Sequence, residues 1–306
     1  MIKLGIIGYG YWGPNLVRNF FSTKDCLVKS VADARLERLD QLAKIFPSIN
    51  RLKDAQDIIN DADIDAVVIA TPVFTHFSLA RQALMNGKHV LIEKPLTSSV
   101  KEAVELIDAY ELGSVTYLDS TRINLGLFQP DINVLWDLAP HDISILNYLV
   151  KEKPYSINAT GVTHTKNNIE NIAYLTVNYK SGFIAHFNCS WSSPVKIRMM
   201  LIGGDKKMVL YNDLEPTEKI KVYDTGYDHK TDEEKKKVLV DYRTGDIYVP
   251  KLHTTEALSG MACDFINCIK QNATPVSSYE IGLNVVKILE ASDKSIKDGG
   301  REVLIN

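Results

Sequence analysis

The sequence contains few cysteines and no long apolar run. Its four cysteines show neither a Cys-x-x-Cys pattern nor the Cys/His spacing of zinc ligands. Isolated cysteines of this kind indicate reduced thiols and argue against a metal site, so we expect a metal-free protein. No stretch reaches the roughly 18 apolar residues of a membrane-spanning helix, and residues 1–7 lack the charged lead-in of a signal peptide. We therefore expect a cytoplasmic protein without a membrane partner.

An excess of charge of one sign is also missing. The 306 residues include 35 Lys and Arg against 38 Asp and Glu, which leaves a net charge of −3. This balance argues against a nucleic acid or an anionic membrane as the main partner. The densest charged stretch, residues 230–237, mixes both signs and is predicted to be a solvated loop. Because 45% of the residues are hydrophobic, the chain can build about two domains with sizeable cores.

The first 110 residues alternate short β-branched stretches with longer helical patterns. The predicted strands are 3–7, 27–32, 66–70 and 89–92. The predicted helices are 14–22, 36–46, 55–59, 77–85 and 98–110. Residues 66–70 are all apolar, as expected for a parallel strand that is buried on both faces. Strands and helices that alternate in this way predict an α/β domain with a parallel sheet and right-handed crossovers.

The pattern changes after Gly113, where strands follow one another through short turns. The predicted strands are 115–122, 156–165, 172–179, 183–191, 197–202 and 208–211. The predicted helices are 136–150, 256–270 and 281–295. Turn sequences at 180–182 and 203–205 indicate hairpins, and therefore an antiparallel sheet. We predict two domains, residues 1–113 and 114–306, of which the second is an α+β domain with a large, mostly antiparallel open sheet.

A glycine pattern follows the first predicted strand and opens the first helix. Residues 8–13 match G-x-G-x-x-G, and the predicted cofactor contacts in this loop are Gly8, Gly10, Tyr11, Trp12 and Gly13. In such loops the first glycine permits a tight turn, the second lets a pyrophosphate approach the backbone, and the third allows close packing. The N–H groups and dipole of the helix then bind the phosphates. The pattern predicts a dinucleotide-binding Rossmann domain.

An acidic residue, Asp33, stands at the end of the second predicted strand. Its carboxylate can accept hydrogen bonds from the adenosine ribose hydroxyls of a dinucleotide. The same charge repels a 2′-phosphate, so the sequence predicts NAD as the cofactor in preference to NADP. Arg35 and Arg38 are close enough in sequence to weaken that preference. The alternative is a glycine turn in an α/β protein that binds no nucleotide.

Polar residues follow the next two predicted strands. Thr71 and Pro72 come after the strand at 66–70, with His76 farther along, and Glu93 and Lys94 follow the strand at 89–92. The carboxyl ends of parallel strands meet at one edge of the sheet, where open α/β sheets bind their ligands. We therefore predict that these residues contact the cofactor, although a lysine in such a position is often a surface residue.

Two further polar residues, Asp137 and His141, lie four apart in the helix predicted over 136–150 and so share one face. A histidine titrates near neutrality and can act as the base that takes the proton of a hydroxyl group. Asp137 can orient that imidazole or a hydroxyl of the substrate. If they have only structural roles, His141 is a core or surface histidine and Asp137 a helix cap.

Together these motifs resemble the Gfo/Idh/MocA family, which includes glucose–fructose oxidoreductase and inositol dehydrogenase. The matching stretches are 8–13, Asp33, 70–76, 87–95 and 136–142. The resemblance implies a Rossmann domain and an open antiparallel α/β domain, with the substrate between the sheet and the nicotinamide. It also implies that Lys94 contacts the substrate and that Lys94, Asp137 and His141 are catalytic.

The run over residues 122–146 resembles sugar and nucleotide-sugar dehydrogenases of that family, and within it Arg122 and Asn124 are predicted substrate contacts. The resemblance implies an NAD(P)-dependent oxidoreductase that acts on a hydroxyl or keto carbon of a sugar or nucleotide-sugar. The alternative within the enzyme class is a cyclic polyol dehydrogenase or an anhydro-sugar reductase. Homodimers or homotetramers through the second domain's sheet are also implied. For the outer face of that sheet we expect the apolar residues Ile184, Ala185 and Phe187.

The chain departs from the family pattern after the helix predicted over 98–110. Family members continue there into another strand, a Gly-His turn and a further helix, whereas residues 107–113 lead directly into the next domain's first strand. The missing segment ordinarily helps to build the nicotinamide side of the site. Two interpretations stay open: a tolerated shortening of an active enzyme, or a catalytically impaired dinucleotide-binding regulator.

Overall fold

The computed structural model describes residues 1–92, 112–126, 128–166, 168–228, 241–250 and 256–305. Its strands are β1 (Ile2–Ile7), β2 (Cys26–Ala32), β3 (Asn50–Leu52), β4 (Ala66–Ile69), β5 (His89–Ile92), β6 (Val115–Leu125), β7 (Ser156–Val162), β8 (Ile172–Asn178), β9 (Ile184–Ser190), β10 (Ser192–Gly204), β11 (Met208–Asn212), β12 (Ile220–Asp228), β13 (Asp241–Tyr248) and β14 (Val303–Leu304). Its helices are α1 (Gly13–Ser22), α2 (Leu36–Ile45), α3 (Ala55–Ile59), α4 (Val73–Met85), α5 (Val134–Leu149), α6 (Ala257–Gln271) and α7 (Tyr279–Lys297). No helix in these ranges is both long and apolar enough to cross a membrane.

The described residues form two units, and the first contains a five-stranded parallel sheet with the order β3-β2-β1-β4-β5. This confirms the predicted parallel sheet. All four residues of β4 are fully buried, as expected of a strand that is covered on both faces. The chain runs outward from β1 to β3 and then returns to β4 on the other side of β1. In a sheet of this kind the crevice between the neighbours β1 and β4 is the expected ligand site.

The first unit is completed by a late part of the chain. Residues 256–278 belong with residues 1–92, while residues 279–305 belong with the second unit. The aromatic rings of Phe265 on α6 and Phe20 on α1 pack edge to face, 6.3 Å apart. The chain therefore enters the first unit twice, which the predicted single boundary after residue 113 does not describe.

The second unit contains a nine-stranded sheet in the order β13-β12-β11-β10-β6-β9-β8-β7-β14. Its described pairs are antiparallel except for β6 with β9, which is parallel, so the predicted open and mostly antiparallel sheet is confirmed. The buried core lies between one face of this sheet and the helices α5 and α7. Ala185 and Phe187 are fully buried in that core, whereas Ile184 points to the opposite face. The expectation that all three share the outer face was wrong, because successive strand residues alternate between faces.

Four short or polar strands were not expected from the sequence: β3, β12, β13 and β14. β3 has only three residues, none of them buried, and it pairs with β2 at the edge of its sheet. The backbone pairing of such strands comes from their neighbours, so their sequences need no apolar alternation. The helix predicted over 98–110 and the solvated loop predicted over 230–237 lie outside the described residues. All four cysteines are unpaired as expected, with Cys189 buried and Cys263 exposed.

Candidate active site

The glycine loop joins β1 to α1 at the centre of the parallel sheet. Gly8 has a φ of +102°, a conformation that residues with a Cβ rarely adopt. A Cβ atom at Gly8 would also lie 2.6 Å from the carbonyl oxygen of Ala70, which follows β4. At Gly13 a Cβ atom would lie 2.6 Å from the carbonyl oxygen of Gly8. Both glycines are therefore required by close backbone contacts, as the sequence predicts.

The start of α1 is suited to an anionic ligand. Its first turn contains no acidic residue, and its N-cap, Trp12, makes no capping hydrogen bond through its side chain. Helix N–H groups at such an end need an acceptor, and the helix dipole favours an anion there. At Gly10 a Cβ atom would meet only the Arg35 guanidinium, at 3.5 Å, so the backbone is open to a close approach. These features fit the diphosphate of a dinucleotide. The rings of Tyr11 and Trp12 flank the loop with their centroids 5.2 Å apart.

Asp33 is buried at the end of β2 and is fully engaged by hydrogen bonds. Its Oδ2 accepts from the backbone N–H of Tyr9 at 2.8 Å, and its Oδ1 accepts from the backbone N–H and Nε of Arg35 at 2.9 and 3.1 Å. Burial raises the pKa of Asp33, but the hydrogen bonds from Arg35 and Tyr9 outweigh this, and the pKa is lowered. The carboxylate therefore stays ionised, and a guanidinium lies against it. The predicted ribose contact and the arginine that could weaken NAD preference form one ion pair.

The turn after β4 places Thr71 next to Gly8, and Pro72 is the N-cap residue of α4. A Cβ atom at Gly8 would lie 3.0 Å from the backbone nitrogen of Thr71. Nε2 of the buried His76 donates a hydrogen bond of 2.7 Å to the Thr71 carbonyl oxygen, and the Thr71 and Thr75 hydroxyls are 2.6 Å apart. In this arrangement His76 supports the turn beside the glycine loop. Glu93 and Lys94, the predicted contacts after β5, lie outside the described residues.

In the second unit, Asp137 and His141 both lie on α5, as predicted. The cap of this helix is Asn133, whose side chain accepts hydrogen bonds from the backbone N–H groups of Leu135 and Trp136. Asp137 is in the first turn but is not the cap. Both Asp137 and His141 are partly buried.

The carboxylate of Asp137 is held by a tryptophan that the sequence interpretation missed. The indole Nε1 of Trp191 donates a hydrogen bond of 2.8 Å to Asp137 Oδ2. Trp191 follows β9 and is almost completely buried. A buried tryptophan usually donates its ring N–H to an acceptor. This general tendency was the only indication in the sequence that Trp191 would bind a polar side chain.

Asn124, a predicted substrate contact, lies near the same tryptophan. A Cβ atom at Gly126 would be 2.9 Å from Nδ2 of Asn124 and 3.0 Å from Cδ1 of Trp191. The ring of Phe128 packs against the Trp191 indole with a centroid distance of 5.5 Å. The structure thus brings Asn124 and Asp137 together around Trp191.

Arg122, the other predicted substrate contact, points into the interior of the second unit. Its Nε and one terminal nitrogen donate to the two carboxylate oxygens of Asp142 at 2.9 and 2.6 Å. Ser120 donates a third hydrogen bond of 2.8 Å to Asp142. Both charged side chains are only 5% exposed. The guanidinium fork is therefore directed at Asp142, and it ties β6 to α5.

Comparison with known proteins agrees with this architecture. Residues 2–118 match the model of the Gfo/Idh/MocA oxidoreductase family with an NAD-binding Rossmann fold, and residues 100–209 match the GFO/IDH/MocA C-terminal domain. The first of these models describes an oxidoreductase family with an NAD-binding Rossmann fold, and the parallel sheet and the glycine loop fit that fold. The chain belongs to the Gfo/Idh/MocA family.

Individual relatives act on different substrates. The chain is 29% identical over 226 positions to UDP-N-acetylglucosamine 3-dehydrogenase from Acidithiobacillus ferrooxidans, which covers 62% of this chain and 67% of that protein. The 226 aligned positions are more than the 62% of this 306-residue chain that they cover. The alignment therefore contains gaps in this chain, where the relative has residues that are missing here. The chain covers 26% to 67% of the length of the first curated relatives that it matches.

Two solved structures share the fold over nearly the whole length of both chains. Aldose-aldose oxidoreductase from Caulobacter crescentus superimposes with a TM-score of 0.80 at 17% identity, covering 99% of each chain. Scyllo-inositol dehydrogenase from Lactobacillus casei, solved with NAD(H) and scyllo-inositol, superimposes with a TM-score of 0.77 at 19% identity, also covering 99% of each. At these identities the likeness establishes the fold alone.

Proposed function

We propose that this chain transfers a hydride between NAD and a hydroxyl or keto carbon of a sugar or nucleotide-sugar. The observation that carries the proposal is the pair Asp137 and His141 on one helix, with the Asp137 carboxylate held by Trp191, in a chain that also has a complete glycine loop and Asp33. The similarity to UDP-N-acetylglucosamine 3-dehydrogenase supports a nucleotide-sugar over a simple alcohol.

Three residues of the chain have separate roles in the proposed reaction. NAD supplies the hydride acceptor when it is bound. Oxidation of an alcohol also needs a base for the hydroxyl proton and a positive charge near the developing alkoxide. In this proposal His141 takes the proton, and Asp137 orients its imidazole or a second substrate hydroxyl. Lys94 supplies the positive charge, a role that the family resemblance implies.

A cyclic polyol is the second candidate substrate class, supported by the fold shared with scyllo-inositol dehydrogenase. A dinucleotide-binding regulator is the candidate outside the enzymes, because the chain lacks segments that a relative carries. One assay separates the three. Absorbance at 340 nm should be followed with NAD and NADP over UDP-sugars, aldoses and inositols. Turnover on a UDP-sugar or an aldose supports the proposal, turnover on inositols alone supports the polyol reading, and NADH binding without turnover on any of them supports a regulator.

We expect NAD(H) to bind more tightly than NADP(H), because ionised Asp33 repels a 2′-phosphate. Arg35 should limit the difference, since its guanidinium lies against Asp33 with an Nε–Oδ1 distance of 3.1 Å. Asp33→Ala should therefore reduce the ratio of the NADP(H) dissociation constant to the NAD(H) dissociation constant, and Arg35→Ala should increase it. Calorimetric titration of both cofactors into each variant measures these shifts, with Lys44→Ala, in the last turn of α2, as the control. A clear preference of the wild-type protein for NADP(H) would contradict the assignment.

We also propose that the open face of the nine-stranded sheet forms a homodimer or homotetramer interface. The apolar residues Tyr174, Ile184 and Leu201 on this face are 47%, 43% and 37% exposed. An apolar sheet face of this kind usually marks an interface. Light scattering at micromolar concentration should give a dimer or tetramer, and Ile184→Lys should weaken it. A monomeric wild-type protein would argue against this interface.

A further inference from the structure

We propose that Trp191 is the positioning residue for Asp137, whose carboxylate it holds in one direction. The inference rests on the proposed function, in which Asp137 works beside His141. The direct contact is the 2.8 Å hydrogen bond from Trp191 Nε1 to Asp137 Oδ2. With one oxygen fixed by a rigid ring, the carboxylate cannot rotate freely about its terminal bond.

The indole is itself immobilised by its backbone and its neighbours. The backbone N–H of Trp191 donates to the Asn171 carbonyl oxygen at 2.9 Å, and the Trp191 carbonyl oxygen accepts from the backbone N–H of Gly126 at 3.0 Å. The ring contacts Phe128, and a Cβ atom at Gly126 would lie 3.0 Å from Cδ1 of the indole, so the Gly126 backbone packs closely against it. A donor held in this way imposes its geometry on the acceptor, which is how supporting residues place catalytic groups.

The chemical type of the donor matters as well as its position. An indole N–H is neutral and keeps its proton at ordinary pH, so towards the carboxylate it acts only as a hydrogen-bond donor. A lysine or arginine in its place would form an ion pair and offset that charge. The contact with Trp191 therefore fixes the direction of the Asp137 carboxylate without exchanging a proton with it.

The chain provides a closely matched control on the neighbouring residue. Nε1 of Trp136, also in the first turn of α5, donates a hydrogen bond of 2.9 Å to Asp293 Oδ2. Trp136→Phe removes a tryptophan–carboxylate bond of the same kind from the same helix without touching Asp137. An effect that is specific to Trp191→Phe therefore reports on Asp137 rather than on the anchoring of α5.

The main experiment compares steady-state kinetics and pH profiles of Trp191→Phe and Trp136→Phe with the wild-type protein. Trp191→Phe should lower kcat about 10-fold, since a hydrogen bond to a charged group is lost, and leave the NADH dissociation constant unchanged. Loss of a hydrogen-bond donor disfavours the charged form of a carboxylate, so the acid limb of the kcat profile should move to higher pH. Trp136→Phe should move neither quantity.

Equal kcat values and pH profiles in the two variants would overturn the role of Trp191. A failure of the proposed function gives a different result. In that case Asp137→Ala and His141→Ala leave turnover unchanged, whatever the effect of Trp191→Phe. If Trp191→Phe does not fold, or no substrate in the panel is turned over, NMR of the indole N–H groups tests whether Trp191 contacts Asp137. The protein has three tryptophans, so the indole N–H spectrum is simple. The Trp191 signal should titrate with pH and lose that dependence in Asp137→Asn; a signal that is unaffected by Asp137→Asn would refute the proposal.

Discussion

Replacing His141 with alanine should lower turnover by about 10²–10⁴-fold, the usual cost of losing a positioned base. The NADH dissociation constant should stay nearly unchanged, because the glycine loop and Asp33 belong to the first unit and His141 to the second. Single-turnover rates and fluorescence titration of NADH separate the two effects. His164→Ala is the control, since that histidine donates its backbone N–H to Asn171 in a loop and has no assigned role in the chemistry.

Lys94→Ala should act in the same direction, with an additional rise in KM because the lysine is expected to hold a substrate hydroxyl as well. The expectation comes from the family resemblance, since Lys94 lies outside the described residues. Near-normal rates in both His141→Ala and Lys94→Ala, with an active wild-type protein, would mean that another group supplies the base.

Replacing Asp142 with alanine should destabilise the second unit by about 3–5 kcal/mol, because the buried Arg122 guanidinium loses its charged partner. Both side chains are 5% exposed, so water cannot replace the missing carboxylate. Urea unfolding followed by tryptophan fluorescence measures the change. In a Trp12→Phe background the remaining fluorophores, Trp136 and Trp191, both lie in the second unit, and the signal reports on that unit alone.

Two comparisons test the cause. The double variant Arg122→Met/Asp142→Leu removes both charges and should recover much of the lost stability, as replacement of buried ion pairs by apolar residues often does. Arg198→Ala breaks a more exposed pair, in which the guanidinium is 3.4 Å from Asp213, and should cost about 1 kcal/mol or less. A cost for Asp142→Ala no larger than that for Arg198→Ala would show that the buried pair contributes little.

The parallel sheet was predictable because its central strands are buried on both faces. Residues 66–69 are wholly apolar in the sequence and wholly buried in the fold. Strands β12 and β13 were not predictable in the same way. They carry charged and polar side chains such as Lys221, Asp224 and Arg243, and β13 forms the edge of its sheet. Their pairing depends on backbone hydrogen bonds, which leave little trace in the order of side chains.

For the candidate site, the residues of the glycine loop were predictable because backbone contacts allow no substitute for Gly8 and Gly13. The partners of long polar side chains were not. Nothing local to Arg122 indicates that Asp142, 20 positions away on a helix, takes both arms of its guanidinium. Trp191 and Asp137 are likewise 54 positions apart, and only the folded sheet and helix bring them into contact.

The return of residues 256–278 to the first unit has a consequence for biosynthesis. The five described strands of that unit's sheet have all been made by residue 92, yet Phe265 and Ile266, which join the apolar cluster around α1, follow only after most strands of the second unit. Until residues 256–278 have been made, the apolar residues of α1 lack these partners. The second unit also needs late parts of the sequence, because β14 pairs with β7 and α7 joins its core. We expect the first unit to reach its native packing only after residues 256–278 have left the ribosome, so its apolar surface stays exposed while most of the second unit is being made.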